Sequence, residues 1–121
     1  MFGKKKNFKS TELYLGKEAK FFGNLFVEGS AIVEGEVEGE RVEVKGELFV
    51  GKAGKIRAKN MEVGSVISQG EIVVEKISGE RVEFKAGAKF VGDVECKILV
   101  VEEGAKINGR ILQDVQAQNK S

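Results

Sequence analysis

Histidine, proline and tryptophan are absent from the 121 residues, and cysteine occurs once. Without histidine the chain lacks the commonest general base and the commonest metal ligand. No Ser-His-Asp or Cys-His arrangement can exist within it. A lone Cys96 can make neither an internal disulfide nor a cysteine zinc cluster. Its setting between Val94 and Ile98 reads as a small buried core residue rather than a reactive thiol. Aspartate is scarce, only Asp93 and Asp114, and the glutamates mostly alternate with lysines as outer-face charges, which argues against a catalytic carboxylate pair. No G-x-x-x-x-G-K-[ST] loop occurs, which argues against assembly driven by nucleotide hydrolysis. No apolar run approaches the roughly 20 residues of a membrane-spanning helix, and no signal-peptide core follows the N-terminal lysines. These absences predict a protein that is not an enzyme and holds no cofactor or metal.

What is present is glycine, 16 residues of it, with 41% hydrophobic residues and 20 basic side chains against 19 acidic. Glycine without proline and without a three-residue period is not collagen. The apolar content and the net charge of +1 argue against disorder. The length fits one domain with tails.

The chain repeats itself. Ala19-Lys20-Phe21-Phe22-Gly23 returns loosely at Gly35, Gly54, Gly70, Ala88 and Ala105, a degenerate unit averaging about 17 residues. Its third position is apolar throughout: Phe21, Val37, Ile56, Ile72, Phe90 and Ile107. Its fifth is small in all but one copy: Gly23, Gly39, Ala58, Val74, Gly92 and Gly109. Apolar and polar residues alternate in Arg41-Val42-Glu43-Val44-Lys45 and Arg81-Val82-Glu83-Phe84-Lys85, which is strand periodicity. Three short strands and three tight corners fill such a unit, one turn of a β-solenoid. A second inward column is expected at Val50, Val66, Phe84 and Val101.

The second position of the unit reads Lys20, Glu36, Lys55, Glu71, Lys89 and Lys106. Stacked on an outer face, opposite charges alternate until the last pair, and a slip of register would bring like charges together. One feature fits badly. Gly39-Glu40-Arg41-Val42-Glu43 recurs at Gly79-Glu80-Arg81-Val82-Glu83, a spacing that is not two turns and that leaves the middle corners open.

A solenoid exposes unpaired backbone and open core at each end unless something caps it. The first unit is rich in apolar residues, and no capping helix is readable beside either end. Leu13, Leu15, Phe21, Phe22, Leu25 and Phe26 at one end, with Ile107, Ile111 and Leu112 at the other, are the candidate surfaces for end-to-end stacking on further copies. The alternative is a monomeric solenoid that binds a protein partner through one flat face.

Ahead of the repeats, residues 1–12 read as a flexible tail. Met1, Phe2, Lys4, Lys5, Lys6, Phe8 and Lys9 combine apolar rings with cations, a pattern suited to weak anchorage on anionic lipid that multiplies by avidity in a polymer. Residues 13–112 read as the solenoid and 113–121 as a disordered polar tail. No basic face or base-stacking pattern points to nucleic acid.

Repeats such as Gly87-Ala88-Lys89-Phe90-Val91-Gly92 and Gly104-Ala105-Lys106-Ile107-Asn108-Gly109, behind an opening Met-Phe-x-Lys-Lys, resemble the bactofilins. That resemblance implies an all-β chain, a single right-handed, three-sided parallel β-helix of about six turns. It implies a bacterial cytoskeletal scaffold that polymerises through both ends, without nucleotide, into non-polar filaments. It further implies a place on the cytoplasmic face of the inner membrane through the N-terminal tail, and recruited proteins whose identity the sequence does not give. Hexapeptide-repeat acyltransferases also use β-helices, but their six-residue period and catalytic histidine are missing here.

Overall fold

A computed structural model describes residues 11–113. Among them every regular element is a strand: β1 (Thr11–Leu15), β2 (Lys20–Phe22), β3 (Leu25–Val27), β4 (Ser30–Val33), β5 (Glu36–Glu38), β6 (Arg41–Val50), β7 (Lys55–Arg57), β8 (Asn60–Ser68), β9 (Glu71–Phe84), β10 (Lys89–Val101), β11 (Lys106–Asn108) and β12 (Ile111–Gln113). All pairings are parallel. The chain is a β-solenoid of about six turns.

The pairings sort into three ladders. Ladder A runs β2–β5–β7 and then through the first residues of β9, β10 and β11. Ladder B joins β3 to the first half of β6, β8, the middle of β9, the middle of β10 and β12. Ladder C joins β1 to β4 and the last parts of β6, β8, β9 and β10. The long strands therefore bend from one ladder into the next.

The charge column is observed as expected: Lys20 pairs with Glu36, Glu36 with Lys55, Lys55 with Glu71, Glu71 with Lys89, and Lys89 with Lys106. Beside it, Phe21, Val37, Ile56, Ile72, Phe90 and Ile107 stack in one inward column. Parallel strands in a closed coil have one face inside, so inward positions are filled by Val, Ile, Leu and Phe. Val33, Val42, Leu48, Ile72, Ile77, Val82 and Phe84 are fully buried. Cys96 is buried among them, and burial pushes its thiol above the ordinary range.

The uneven repeat length comes from the corners. Between ladders C and A the link is four residues in four turns, each closed by a hydrogen bond: Ala19 N to Gly16 O, Gly54 N to Gly51 O, Ala88 N to Lys85 O and Ala105 N to Glu102 O. In the other two turns it is only Glu34-Gly35 and Gln69-Gly70.

This corrects the expected second column. Val50 stands on Ser68, which stands on Phe84, and Phe84 on Val101. Val66 lies one pleat away, between Leu48 and Val82. Counting back a fixed four residues fails where the corner is two residues shorter. A buried serine therefore occupies the apolar column, its Oγ donating to the Gly70 carbonyl at 3.5 Å. The odd spacing of Gly39 and Gly79 resolves too: Arg41-Val42 lies in ladder B and Arg81-Val82 in ladder C. They are like patterns on different ladders.

Between ladders A and B the backbone of one turn passes directly over the next. A Cβ on Gly92 would run into the Val74 carbonyl, and one on Gly109 into the Gly92 carbonyl. Both also have φ in the region that favours glycine, +140° and +151°.

Candidate assembly surfaces at the two ends

At the N-terminal end the first turn consists of β1, β2 and β3, each paired with one neighbour only among the described residues. Of their inward side chains Val27 is buried, whereas Leu13, Leu15, Phe21 and Leu25 pack on the core below but stay partly exposed. The equivalents one turn further in, Ala31, Val33, Val37 and Val42, are buried to 2% or less. Among the described residues no further turn stands above the first.

Phe22 and Phe26 sit otherwise. They register with Glu38 and Glu43 on the outer faces and are 69% and 58% exposed. They rim the open end rather than line it. Tyr14 is the corresponding outward residue of ladder C, so each ladder begins with an exposed aromatic ring. Sequence reading did not single out Tyr14 as an exposed residue.

At the C-terminal end the last inward positions are Leu99 and Val101 of ladder C, Ile107 of ladder A and Ile111 of ladder B. Leu99 and Ile107 pack on the core from the last turn. Val101 and Ile111 are exposed, at 46% and 45%. Leu112 registers with Glu95 and faces outward. Leu99 and Val101 complete this surface; Val101 was expected in the inward column but not at the end surface, and Leu99 could have been found by extending the column of Leu48, Val66 and Val82 one turn.

The last turn is tied to the fifth by ionic contacts. Arg110 reaches Asp93, and the Glu102 carboxylate accepts from the Ala86 backbone N–H at 3.0 Å and from Lys85 Nζ at 3.4 Å. The Ala86 N–H, and then Lys85, hold the Glu102 carboxyl below the usual carboxylate range. Contacts to Glu83 and Glu102 raise the Lys85 ammonium.

Met1, Phe2, Lys4, Lys5, Lys6, Phe8 and Lys9 lie outside the described residues. Among the described residues no group of three acidic or thiol side chains stands close enough to hold a metal. No helix of the described residues is long and apolar enough to cross a membrane.

Among the described residues the parallel ladders end, at both ends of the coil, in strands paired on one side only. Comparison with known proteins places the chain in a family. The family model described as "Bactofilin: Polymer-forming cytoskeletal" matches residues 13–112. A crystal structure of bactofilin from Thermus thermophilus, a phenylalanine-to-arginine mutant, superposes with a TM-score of 0.70 at 32% identity, covering 75% of this chain and 99% of that one. Among curated proteins none matches. The chain belongs to the bactofilins, a family of polymer-forming cytoskeletal proteins.

Proposed function

We propose that this chain is a scaffold subunit that stacks end to end, without nucleotide, into non-polar filaments on the cytoplasmic face of the bacterial inner membrane. The family is structural rather than enzymatic. The three ladders are taken as the three sides of a right-handed helix, as the family resemblance implies. The observation that carries the reading is that, among the described residues, the strands at both ends are paired on one side only. Leu13, Leu15, Phe21 and Leu25 would meet one neighbour, and Leu99, Val101, Ile107 and Ile111 the other. Each joint extends the core and pairs backbone groups that are otherwise left to water. Phe22, Phe26 and Leu112 rim these joints. The segment ahead of β1 supplies the membrane contact, the strands from β1 to β12 the polymer, and residues 114–121 a polar tail; Thr11, Glu12 and Gln113, read from sequence as tail, stand in the first and last strands. The filament serves cell shape, envelope organisation and the placing of recruited proteins.

Electron microscopy of the purified full chain without nucleotide tests the assembly. Filaments about one β-helix wide are expected. Phe21→Arg and Ile107→Arg should each leave short species by sedimentation, because a cation buried in an apolar joint lacks a partner. Val91→Arg is the control, since Val91 faces outward from the fifth turn and is already 44% exposed. A soluble monomer in the unsubstituted chain would favour the monomeric binding module instead. Co-sedimentation with anionic vesicles, with and without residues 1–8, tests the tail. Binding unchanged by the deletion would refute the anchor.

A further inference from the structure

The outer face of ladder C carries an apolar stripe that filament ends do not explain. Tyr14, Ile32, Phe49 and Ile67 stack in register across the first four turns. The next outward residue is Glu83, and the stripe stops there. Tyr14 is 60% exposed, and Ile32, Phe49 and Ile67 are each partly exposed. On and beside the same face stand Glu12, Glu34 and Glu47. None of the three forms an ion pair with a described residue. Lys17 and Lys52 lie in the adjoining corners and share a hollow with Glu34 and Phe49. A second copy laid face to face would set these glutamates against their equivalents, so self-pairing of the stripe is disfavoured.

We propose that the occupant is the chain's own N-terminal segment, residues 1–10. That segment carries Phe2 and Phe8 with Lys4, Lys5, Lys6 and Lys9 and no acid, the complement of an apolar stripe edged by carboxylates that no described cation pairs, although Glu34 accepts a hydrogen bond from the Tyr14 hydroxyl at 2.9 Å. It also enters at the right place, since Ser10 adjoins Thr11 at the start of β1, the first strand of ladder C. The stripe is three strand spacings long, about 14 Å. Ten extended residues reach about 33 Å, enough to turn back and run its length. Phe2 and Phe8 then cover the apolar side chains, and the lysines stand against Glu12, Glu34 and Glu47. This docking does not rest on the bilayer anchor. Where both operate, the same phenylalanines serve one surface at a time, so docking withholds the tail from lipid.

Tyr14 reports on this directly, being the only tyrosine in a chain without tryptophan. The experiment is acrylamide quenching of its fluorescence in the full chain, without vesicles, with filament content matched by sedimentation. The quenching constant should rise in Phe2→Ser/Phe8→Ser, because collisional quenching follows the ring area open to solvent. It should rise similarly in Ile67→Lys, three strands away from the fluorophore, and should not change on dilution. Equal quenching in the full chain and the Phe2→Ser/Phe8→Ser variant overturns the proposal. So does shielding that survives those changes and fades on dilution, which would assign the stripe to a second copy.

Discussion

Arg110 grips Asp93 with two nitrogens, Nη2 donating to Oδ2 at 2.8 Å and Nε to Oδ1 at 3.3 Å. The forked geometry matches guanidinium to carboxylate. It ties the corner before β12 to the turn beneath, at the end where no further turn is present among the described residues. Arg110 holds the Asp93 carboxyl below the usual carboxylate range, and Asp93 raises the guanidinium.

Asp93→Asn should therefore loosen the last turn more than the molecule as a whole. A depressed carboxylate contributes stability that is complete above the pKa of an unfolded aspartate, about 3.9. That contribution is lost as the pH falls through the lower value in the folded chain. Hydrogen exchange at 106–112 should be faster in Asp93→Asn than in the parent at neutral pH, with 41–50 unchanged. The two proteins should converge as the parent's Asp93 becomes protonated. Equal exchange at neutral pH would show that the fork holds nothing.

Gly87 and Gly92 separate two reasons for glycine. Gly87 has φ of +89° with nothing within 4 Å of a built Cβ, whereas at Gly92 a Cβ meets the Val74 carbonyl as well as an unfavourable φ. Gly87→Ala should cost backbone strain alone, about 1–2 kcal/mol. Gly92→Ala adds a collision with backbone that cannot swing aside, and its loss should be larger, ~3 kcal/mol or more. Urea unfolding of the two variants tests the order; a Gly87→Ala loss as large as that of Gly92→Ala contradicts it.

Phe84 and Phe90 meet inside the fifth turn with centroids 5.1 Å apart and planes tilted by 42°. Both are buried, and they are the largest side chains in a narrow core. Phe84→Ala should lose about 3–5 kcal/mol, through transfer and the cavity left behind. Phe84→Leu should keep most of that. A small loss for Phe84→Ala by denaturant unfolding would mean that the coil collapses around the vacancy.

Ladder A was legible in the sequence because its strands are short, its third position never becomes polar and its corner prefers glycine. Ladder C was less so. Its approach corner switches between two and four residues, and a change of two preserves alternation while moving every residue one pair along. Val66 was misplaced for that reason. The outer stripe had a signal of its own. Leu13-Tyr14-Leu15, Ala31-Ile32-Val33 and Leu48-Phe49-Val50 are apolar at three successive positions, so the middle residue must face out of the coil. The ends were legible in composition, but not in which side chains line them. Phe22 and Phe26 look like core from sequence, and only pairing with Glu38 and Glu43 turns them outward.

The charge column of ladder A makes the last prediction. Lys20 Nζ lies 3.9 Å from Glu36 Oε1 at its top, and alternation holds down to Lys89, where Lys106 repeats the sign. Lys106→Glu would complete the alternation. The gain should be small, since exposed pairs are screened. It should raise the melting temperature at low ionic strength and vanish near 1 M salt, where the Debye length shrinks to about 3 Å. Lys55→Glu does the reverse, placing a third negative charge between Glu36 and Glu71, and should lower it with the same salt dependence. Opposite shifts that both disappear in salt identify the column as an electrostatic register. Shifts of equal sign, or shifts indifferent to salt, would assign the effect to strand propensity instead.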